Sequence, residues 1–185
     1  MFIQTEETPN PNALKFLPEA EINLKEPIFF HTKEDAIGKS PMALKLFDVH
    51  GVKSVFFGNN FITITKNEEE NWELIKPDIL MSIMDHLVSG MPIFEENSQS
   101  IDDNSSDISE IEKQIIEIID TRVRPSVAMD GGDITYKGFK NGIVYLQLRG
   151  ACSGCPSSSI TLKNGIESML QHFIPEVKAV EAFGE

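Results

Sequence analysis

The sequence predicts an α+β protein built from two small domains, and three patterns in its 185 residues support that prediction. Short apolar runs separated by asparagine, proline and glycine indicate strands in both halves of the chain. Apolar residues at three- and four-residue steps indicate helices that lie on a core. Between the halves, residues 94–107 carry five acids and no base, which predicts a flexible linker. The domains are therefore expected at residues 1–93 and 108–185.

The first domain is predicted to pair short strands antiparallel and to cover them with two helices. Thr8–Asn12 is a strong turn signal between the first two strands. Ser40 and Pro41 are typical of a helix start, and Gly51 is expected to end that helix after it buries Leu44, Phe47 and their neighbours. The predicted strands are Phe2–Thr5, Ala13–Leu17, Ile28–Phe30, Val52–Phe57 and Phe61–Lys66, and the predicted helices are Met42–Val49 and Trp72–Ser89.

The second domain is predicted to start with a helix at Ser109 that Pro125 ends. The turn Met129–Asp133 follows. Its two aspartates, Asp130 and Asp133, could form a metal-binding or acid–base pair, but at a double-glycine turn polar capping of the turn is the preferred interpretation. Next comes a hairpin around Lys140–Gly142. One stripe of the first helix is predicted to consist of Ile108, Ile111, Ile115, Ile118 and Arg122, and the hairpin strands are Ile134–Phe139 and Ile143–Leu148.

A second helix and a last strand complete this domain. Leu162, Ile166, Leu170 and their neighbours Met169 and Phe173 recur at helical spacing after Pro156, which suits the first helical position. Pro175 then breaks the chain before a strand over Val177–Phe183. The predicted order is α-β-β-α-β, with a three-stranded sheet and two helices on one face.

Chemistry in this sequence is concentrated at Cys152 and Cys155, the only two cysteines, which lie between the second hairpin strand and the last helix. Cys152 is expected in a turn and Cys155 beside the helix N-terminus. Free backbone amides and the positive end of the helix dipole favour a thiolate there. Both sulfur atoms are therefore expected to be accessible and nucleophilic.

Three interpretations of the cysteine pair compete. A Cys-x-x-Cys before a helix is also the arrangement of dithiol redox proteins. Alternatively, the pair is half of a metal site, because zinc and iron–sulfur clusters usually take four ligands and the four histidines show no metal-ligand spacing. A second copy of the chain would then complete the shell, for a zinc ion or a cluster. The third interpretation is that the cysteines are small apolar core residues, which the surrounding glycine, serine and proline argue against.

The composition limits the partners. The formal net charge is −13 without any basic cluster, which argues against nucleic acid and anionic membrane as partners. No apolar run approaches membrane-spanning length. Two cysteines confined to one motif indicate a reducing compartment.

Several strings in the chain resemble the NifU-like, or Nfu-type, family of iron–sulfur scaffold and carrier proteins. In the second half these are Arg124-Pro125, Asp130–Ile134, Gly150–Ser158 and Thr161–Glu167. In the first half, Thr8–Leu17 and Gly51–Gly58 are similar to the family's N-terminal domain. Nearly the whole chain outside the linker is covered.

The resemblance implies that Cys152 and Cys155 ligate a 4Fe-4S cluster shared between the two subunits of a homodimer. It also implies delivery of the cluster to apo iron–sulfur recipient proteins after loading by upstream assembly proteins, a role that is binding and not enzymatic. The first residues show no basic or arginine-rich leader pattern. We therefore expect a bacterial cytoplasmic protein, with a mitochondrial matrix protein after presequence removal as the alternative.

Overall fold

The computed structural model describes residues 2–20, 22, 24, 26–95, 109–152 and 156–183, with residues 156–159 described only as part of a helix. The chain divides into two compact units, Met1–Ile101 and Asp102–Glu185, which confirms the two-domain arrangement. Most of the predicted linker lies outside the described residues. Its bounds therefore stay a prediction.

Unit 1 is built on a five-stranded antiparallel sheet with the strand order β1-β2-β5-β4-β3. Antiparallel pairing of the first two strands and the later hairpin are both as predicted. The strands are β1 (Ile3–Glu7), β2 (Ala13–Pro18), β3 (Ile28–Phe30), β4 (Val52–Phe57) and β5 (Ile62–Lys66), and the helices are α1 (Lys33–Ala36), α2 (Pro41–Phe47) and α3 (Trp72–Ser89).

Helix α2 ends earlier than predicted, and its fully buried side chains are neighbours of Leu44 and Phe47, which pack at the edge of the core. Ser40 caps its start by accepting a hydrogen bond from the Ala43 amide at 3.1 Å. The helix ends at Phe47, and Gly51, with φ of 89°, lies in the tight turn that leads into β4. The buried side chains are Met42, Ala43 and Leu46, whereas the predicted Leu44 and Phe47 are half-buried.

Unit 2 confirms the predicted α-β-β-α-β order and its three-stranded sheet. The elements are α4 (Glu110–Ile118), a π-helical segment (Ile119–Val123), α5 (Arg124–Met129), β6 (Gly132–Lys140), β7 (Ile143–Gly150), α6 (Pro156–Phe173) and β8 (Ala179–Ala182). The strand order is β6-β7-β8, with β6 and β7 antiparallel and β7 and β8 parallel.

The helices of unit 2 pack on one face of this sheet, as expected. The first helical layer is α4, the π-helical segment and α5, and the second is α6. Inward-facing side chains from all three strands share a single core with residues of both helical layers. Because alternate residues of a strand point to opposite faces, this common core places the helices on the same side. This core contains Ile134, Val144, Leu146 and Val180 from the sheet, Ile115, Ile119, Val123 and Val127 from the first helical layer, and Ile166 and Leu170 from α6.

Pro125 does not end the first helical layer, contrary to expectation. The chain passes through the π-helical segment and resumes as α5, in which Arg124 and Pro125 occupy the first two positions. Proline is tolerated there because its missing N–H is not needed in the first turn.

The π-helical segment also changes which side chains are buried. Four residues of an α-helix make slightly more than one turn, so side chains spaced four apart gradually rotate around the helix axis. A π-turn takes more residues than an α-turn and compensates for this rotation. Four-residue steps therefore stay on the core side, whereas the predicted Ile111 and Ile118 are only half-buried and Arg122 is exposed. Ile108, the remaining member of the predicted stripe, lies outside the described residues.

Candidate functional site

Cys152 lies in the turn that follows β7, as predicted. Strand β7 ends at Gly150, whose φ is 70°, and Ala151 and Cys152 form the turn. The Ala151 amide donates a hydrogen bond to the Gly131 carbonyl at 3.1 Å, so this turn lies against the turn that precedes β6. Cys155 lies outside the described residues, and α6 begins at Pro156 as expected.

Space for the Cys152 side chain is provided by the absence of a side chain at Gly132. A Cβ atom at position 132 would lie 2.8 Å from the Cys152 sulfur and 2.7 Å from the Arg149 carbonyl oxygen. Neither distance is compatible with normal van der Waals contact. The double glycine therefore has two functions, since Gly131 adopts a φ of 78° in the turn and Gly132 allows close approach of Cys152.

The sulfur of Cys152 is not accessible, contrary to expectation. The residue is 5% exposed and belongs to the apolar core of unit 2. A thiol is small and weakly polar, so its burial costs little free energy. A thiol in such surroundings is also less reactive than one beside exposed backbone amides.

Asp133 does not cap the turn, contrary to expectation, because it is already part of β6 and is buried. Its carboxylate oxygen Oδ1 lies 3.2 Å from Nε of Arg124. Arg124 also contacts Asp120 Oδ1 at 2.9 Å through Nη1, and its Nη2 donates to the Ile134 carbonyl at 3.0 Å. Asp130 is half-buried in the turn itself.

Arg124 thus joins the helical layer to the strand that borders Cys152. Burial raises the pKa of Asp133, and the charge of Arg124 acts in the opposite direction. Sequence patterns did not assign roles to Arg124 or Gly132. The available signals were an arginine directly before a proline and a glycine doubled before a strand.

No cluster of metal ligands is seen in the described part of the chain. Within those residues, no group of three or more histidine, cysteine, aspartate or glutamate side chains is placed to hold a metal ion. Among the four histidines, His86 is buried in unit 1, where it serves the fold. None of the helices in the described ranges is both long and apolar enough to cross a membrane.

Fold and site together define a two-unit α+β protein with Cys152 in a turn that follows a strand and precedes a helix. Residues 3–90 match the family model described as scaffold protein Nfu/NifU N terminal, and residues 115–181 match the NifU-like domain. The chain is 53% identical over 182 residues to a human protein named NFU1 iron-sulfur cluster scaffold homolog, mitochondrial. The aligned residues are 98% of this chain and 71% of the human protein. The chain therefore belongs to the Nfu/NifU family of iron–sulfur cluster scaffold proteins.

Further relatives carry the same name. Those of Drosophila ananassae and Drosophila virilis are 50% and 49% identical to it over 182 residues. The aligned residues are 98% of this chain, and they span 64% and 61% of the two Drosophila proteins. A solution NMR structure of a NifU-like protein from Saccharomyces cerevisiae aligns with a TM-score of 0.47 at 33% identity. That alignment covers 51% of this chain and 85% of the yeast structure.

Proposed function

We propose that two copies of this chain bind one 4Fe-4S cluster through Cys152 and Cys155 of each copy and deliver it to apo iron–sulfur proteins. The observation that carries the proposal is the position of Cys152, in a turn between the end of β7 and the start of α6. A turn beside a helix N-terminus offers backbone amides to an anionic cargo. The cluster is the cargo of this protein, and no bond of a substrate is broken.

Ligand number supports the shared arrangement. A cubane cluster is usually held by four cysteines, and the chain contains two. The described residues of one copy bring together no group of three or more candidate ligands that could complete the shell. A symmetric pair of chains would supply the four thiolates, with a twofold axis through the cluster. Arg149 and Lys163 would offset part of the negative charge.

Burial of Cys152 is consistent with a carrier whose site opens when it is loaded. The side chain must turn away from the core for its sulfur to reach the cluster, and it lies in a turn, outside any helix or strand. Reversing that movement would return the thiol to an apolar environment after release, which favours transfer over permanent retention.

The names of the relatives support a mitochondrial compartment. The human and Drosophila relatives are all called mitochondrial, which favours the alternative location over the bacterial cytoplasm. We infer that the partners are apo recipient proteins and upstream assembly proteins of that compartment. The reducing conditions expected there keep both thiols available.

Anaerobic reconstitution with iron and sulfide tests the function. We expect about two irons and two sulfides per chain, broad visible absorption, and a dimer by equilibrium sedimentation. The variant Cys155→Ser should lose the cluster and remain monomeric under the same conditions. Disulfide reductase activity without cluster uptake would instead identify a dithiol redox protein, and stoichiometric zinc in the purified dimer would identify a zinc site.

A further inference from the structure

Helix α3 has two apolar faces, and the core of unit 1 accounts for only one of them. Ile75, Ile79 and Ile83 point into the core and are buried. A helix on the surface of a domain normally carries polar residues on the opposite side. On α3 that side instead carries Leu74, Pro77, Met81, Met84 and Val88, all exposed, which we call the α3 stripe.

The α3 stripe is continuous along the helix. Its members follow at steps of three, four, three and four residues, which is the spacing of a helix-packing seam. At 3.6 residues per turn they fall within an arc of roughly 80°, and the three buried isoleucines lie on the opposite side. Leu74 and Val88, at the two ends, are each 72% exposed.

Acidic side chains border the α3 stripe. Asp78 and Asp85 flank it on one side and Glu73 on the other, and all three are exposed. Within the described residues, the one ion pair of these three acids joins Asp85 to Lys45 of α2 at 3.5 Å. The one lysine of α3 itself, Lys76, is half-buried and lies on the far side of Glu73 from the stripe. The border of this apolar face is therefore negative.

From this combination we propose that the α3 stripe docks an amphipathic helix of another protein, one that carries lysine or arginine on both sides of its apolar residues. Helical spacing of the apolar side chains suits a helix laid alongside α3. Two methionines at the centre of the stripe can adapt to the shape of such a partner. Basic flanks on the partner would face Glu73, Asp78 and Asp85.

The same charges argue against a second copy of the chain as the occupant. An antiparallel pair of α3 helices would place Asp78 and Asp85 of one copy opposite the same residues of the other. A parallel pair would place them opposite Glu73. Like charges meet in either direction, which disfavours self-association. The negative border equally disfavours an anionic lipid surface.

A displayed library of helical peptides tests the proposal with the full chain as the target. Each peptide has leucines at alternating three- and four-residue steps, and lysine, glutamate or serine at every flanking position. We expect enrichment of lysine over glutamate, and weaker binding of the selected peptide at higher salt. Its Kd should rise about tenfold for the variant Met81→Glu.

Ile37→Glu is the matched control, because Ile37 is 63% exposed and Met81 is 61% exposed in the same unit. Peptide binding should be unchanged in the control, and both variants should keep the circular dichroism spectrum of the parent chain. No lysine enrichment, or binding that survives Met81→Glu, would overturn the proposal. It would also be overturned if the cluster-free chain dimerised, or bound anionic vesicles, in a manner that Met81→Glu abolishes.

Discussion

Cys152 can pack against β6 because Gly132 has no side chain. The sulfur occupies the volume that a side chain at position 132 would fill. Any substitution must move the Cys152 side chain or separate β6 from β7, since the Arg149 carbonyl blocks the same space. The double-glycine turn is therefore part of the cysteine site and not only a connection between elements.

Gly132→Ala should destabilise unit 2 by about 1–3 kcal/mol, because the new methyl group overlaps the Cys152 sulfur. The variant should also take up severalfold less cluster in anaerobic reconstitution. Thermal unfolding followed by circular dichroism and iron analysis of the product measure the two effects. Gly138→Ala is the control, since a Cβ atom in that position of the same strand meets no atom within 4 Å. Equal behaviour of the two variants would contradict the role assigned to Gly132.

Asp133 illustrates how a residue's role depends on contacts outside its own segment. Two glycines before an aspartate suggest a capped turn, but the strand begins at Gly132 and carries Asp133 inward. Its carboxylate forms an ion pair with Arg124, nine positions earlier. Arg124 is the first residue of α5, which follows the π-helical segment and brings the arginine to the strand. Burial without that arginine would leave a carboxylate unpaired at substantial cost.

At the scale of elements, α3 is tied to the segment that follows it by a buried histidine. His86 Nε2 lies 3.1 Å from the Pro92 carbonyl oxygen. Beyond it, the Ser40 hydroxyl donates to the Ile93 carbonyl at 2.6 Å, and Phe94 packs edge-on against Phe57 at a centroid distance of 5.0 Å. The segment after α3 is thereby held against α2 and β4, and His86 is enclosed beneath it.

Unit 1 should lose stability as the pH falls below about 6.5, the ordinary pKa of His86. Burial lowers the pKa of His86 in the folded protein, Lys45 adds to this effect, and the Pro92 carbonyl opposes it. The unfolded chain therefore binds the proton first, so the stabilisation is complete above pH 6.5 and is lost progressively as the pH falls to the folded value.

Urea unfolding at a series of pH values, followed by the fluorescence of Trp72, measures this effect. His86→Gln carries no charge at any pH and should flatten the dependence below pH 6.5. An unchanged slope in that variant would assign the pH dependence to other groups. The α3 stripe lies on the opposite side of the same helix from His86, so this measurement and the peptide experiment probe separate properties of α3.

At the scale of the whole molecule, each unit has its own apolar core. One core draws its members from unit 1 and the other from unit 2. The single tryptophan, Trp72, belongs to unit 1, where its indole N–H donates to the Pro11 carbonyl at 2.9 Å. Its fluorescence therefore reports the unfolding of one unit, while circular dichroism reports both.

Ile115→Ala should separate the two unfolding transitions. Ile115 is fully buried in the core of unit 2, so its truncation should cost about 2–5 kcal/mol there. The urea midpoint of the Trp72 signal should stay at the parent value, while part of the circular dichroism signal shifts to lower urea. Ile79→Ala, the counterpart in unit 1, should lower the Trp72 midpoint. A common shift of both signals in either variant would show that the units unfold together.

Much of this fold could be predicted because it follows from local spacing. Alternation and turn residues defined the hairpin of unit 2, in which Asn141 and Gly142 take φ values of 55° and 85°. Apolar residues at four-residue steps predicted helix α3, and its bounds, Trp72–Ser89, are as predicted. The cysteine motif was placed between a strand and a helix for the same reason. Each of these signals acts within a few residues along the chain.

The sequence by itself determined the α-β-β-α-β order of unit 2, the two-domain arrangement and the position of Cys152 in a turn. Only the tertiary structure decided that Cys152 is buried, that Asp133 pairs with Arg124 and that α3 has a second, exposed apolar face. Those features depend on which distant segments meet. The closeness of Gly132 to Cys152, twenty positions apart, arises from strand pairing between β6 and β7 and leaves no periodic pattern in the chain.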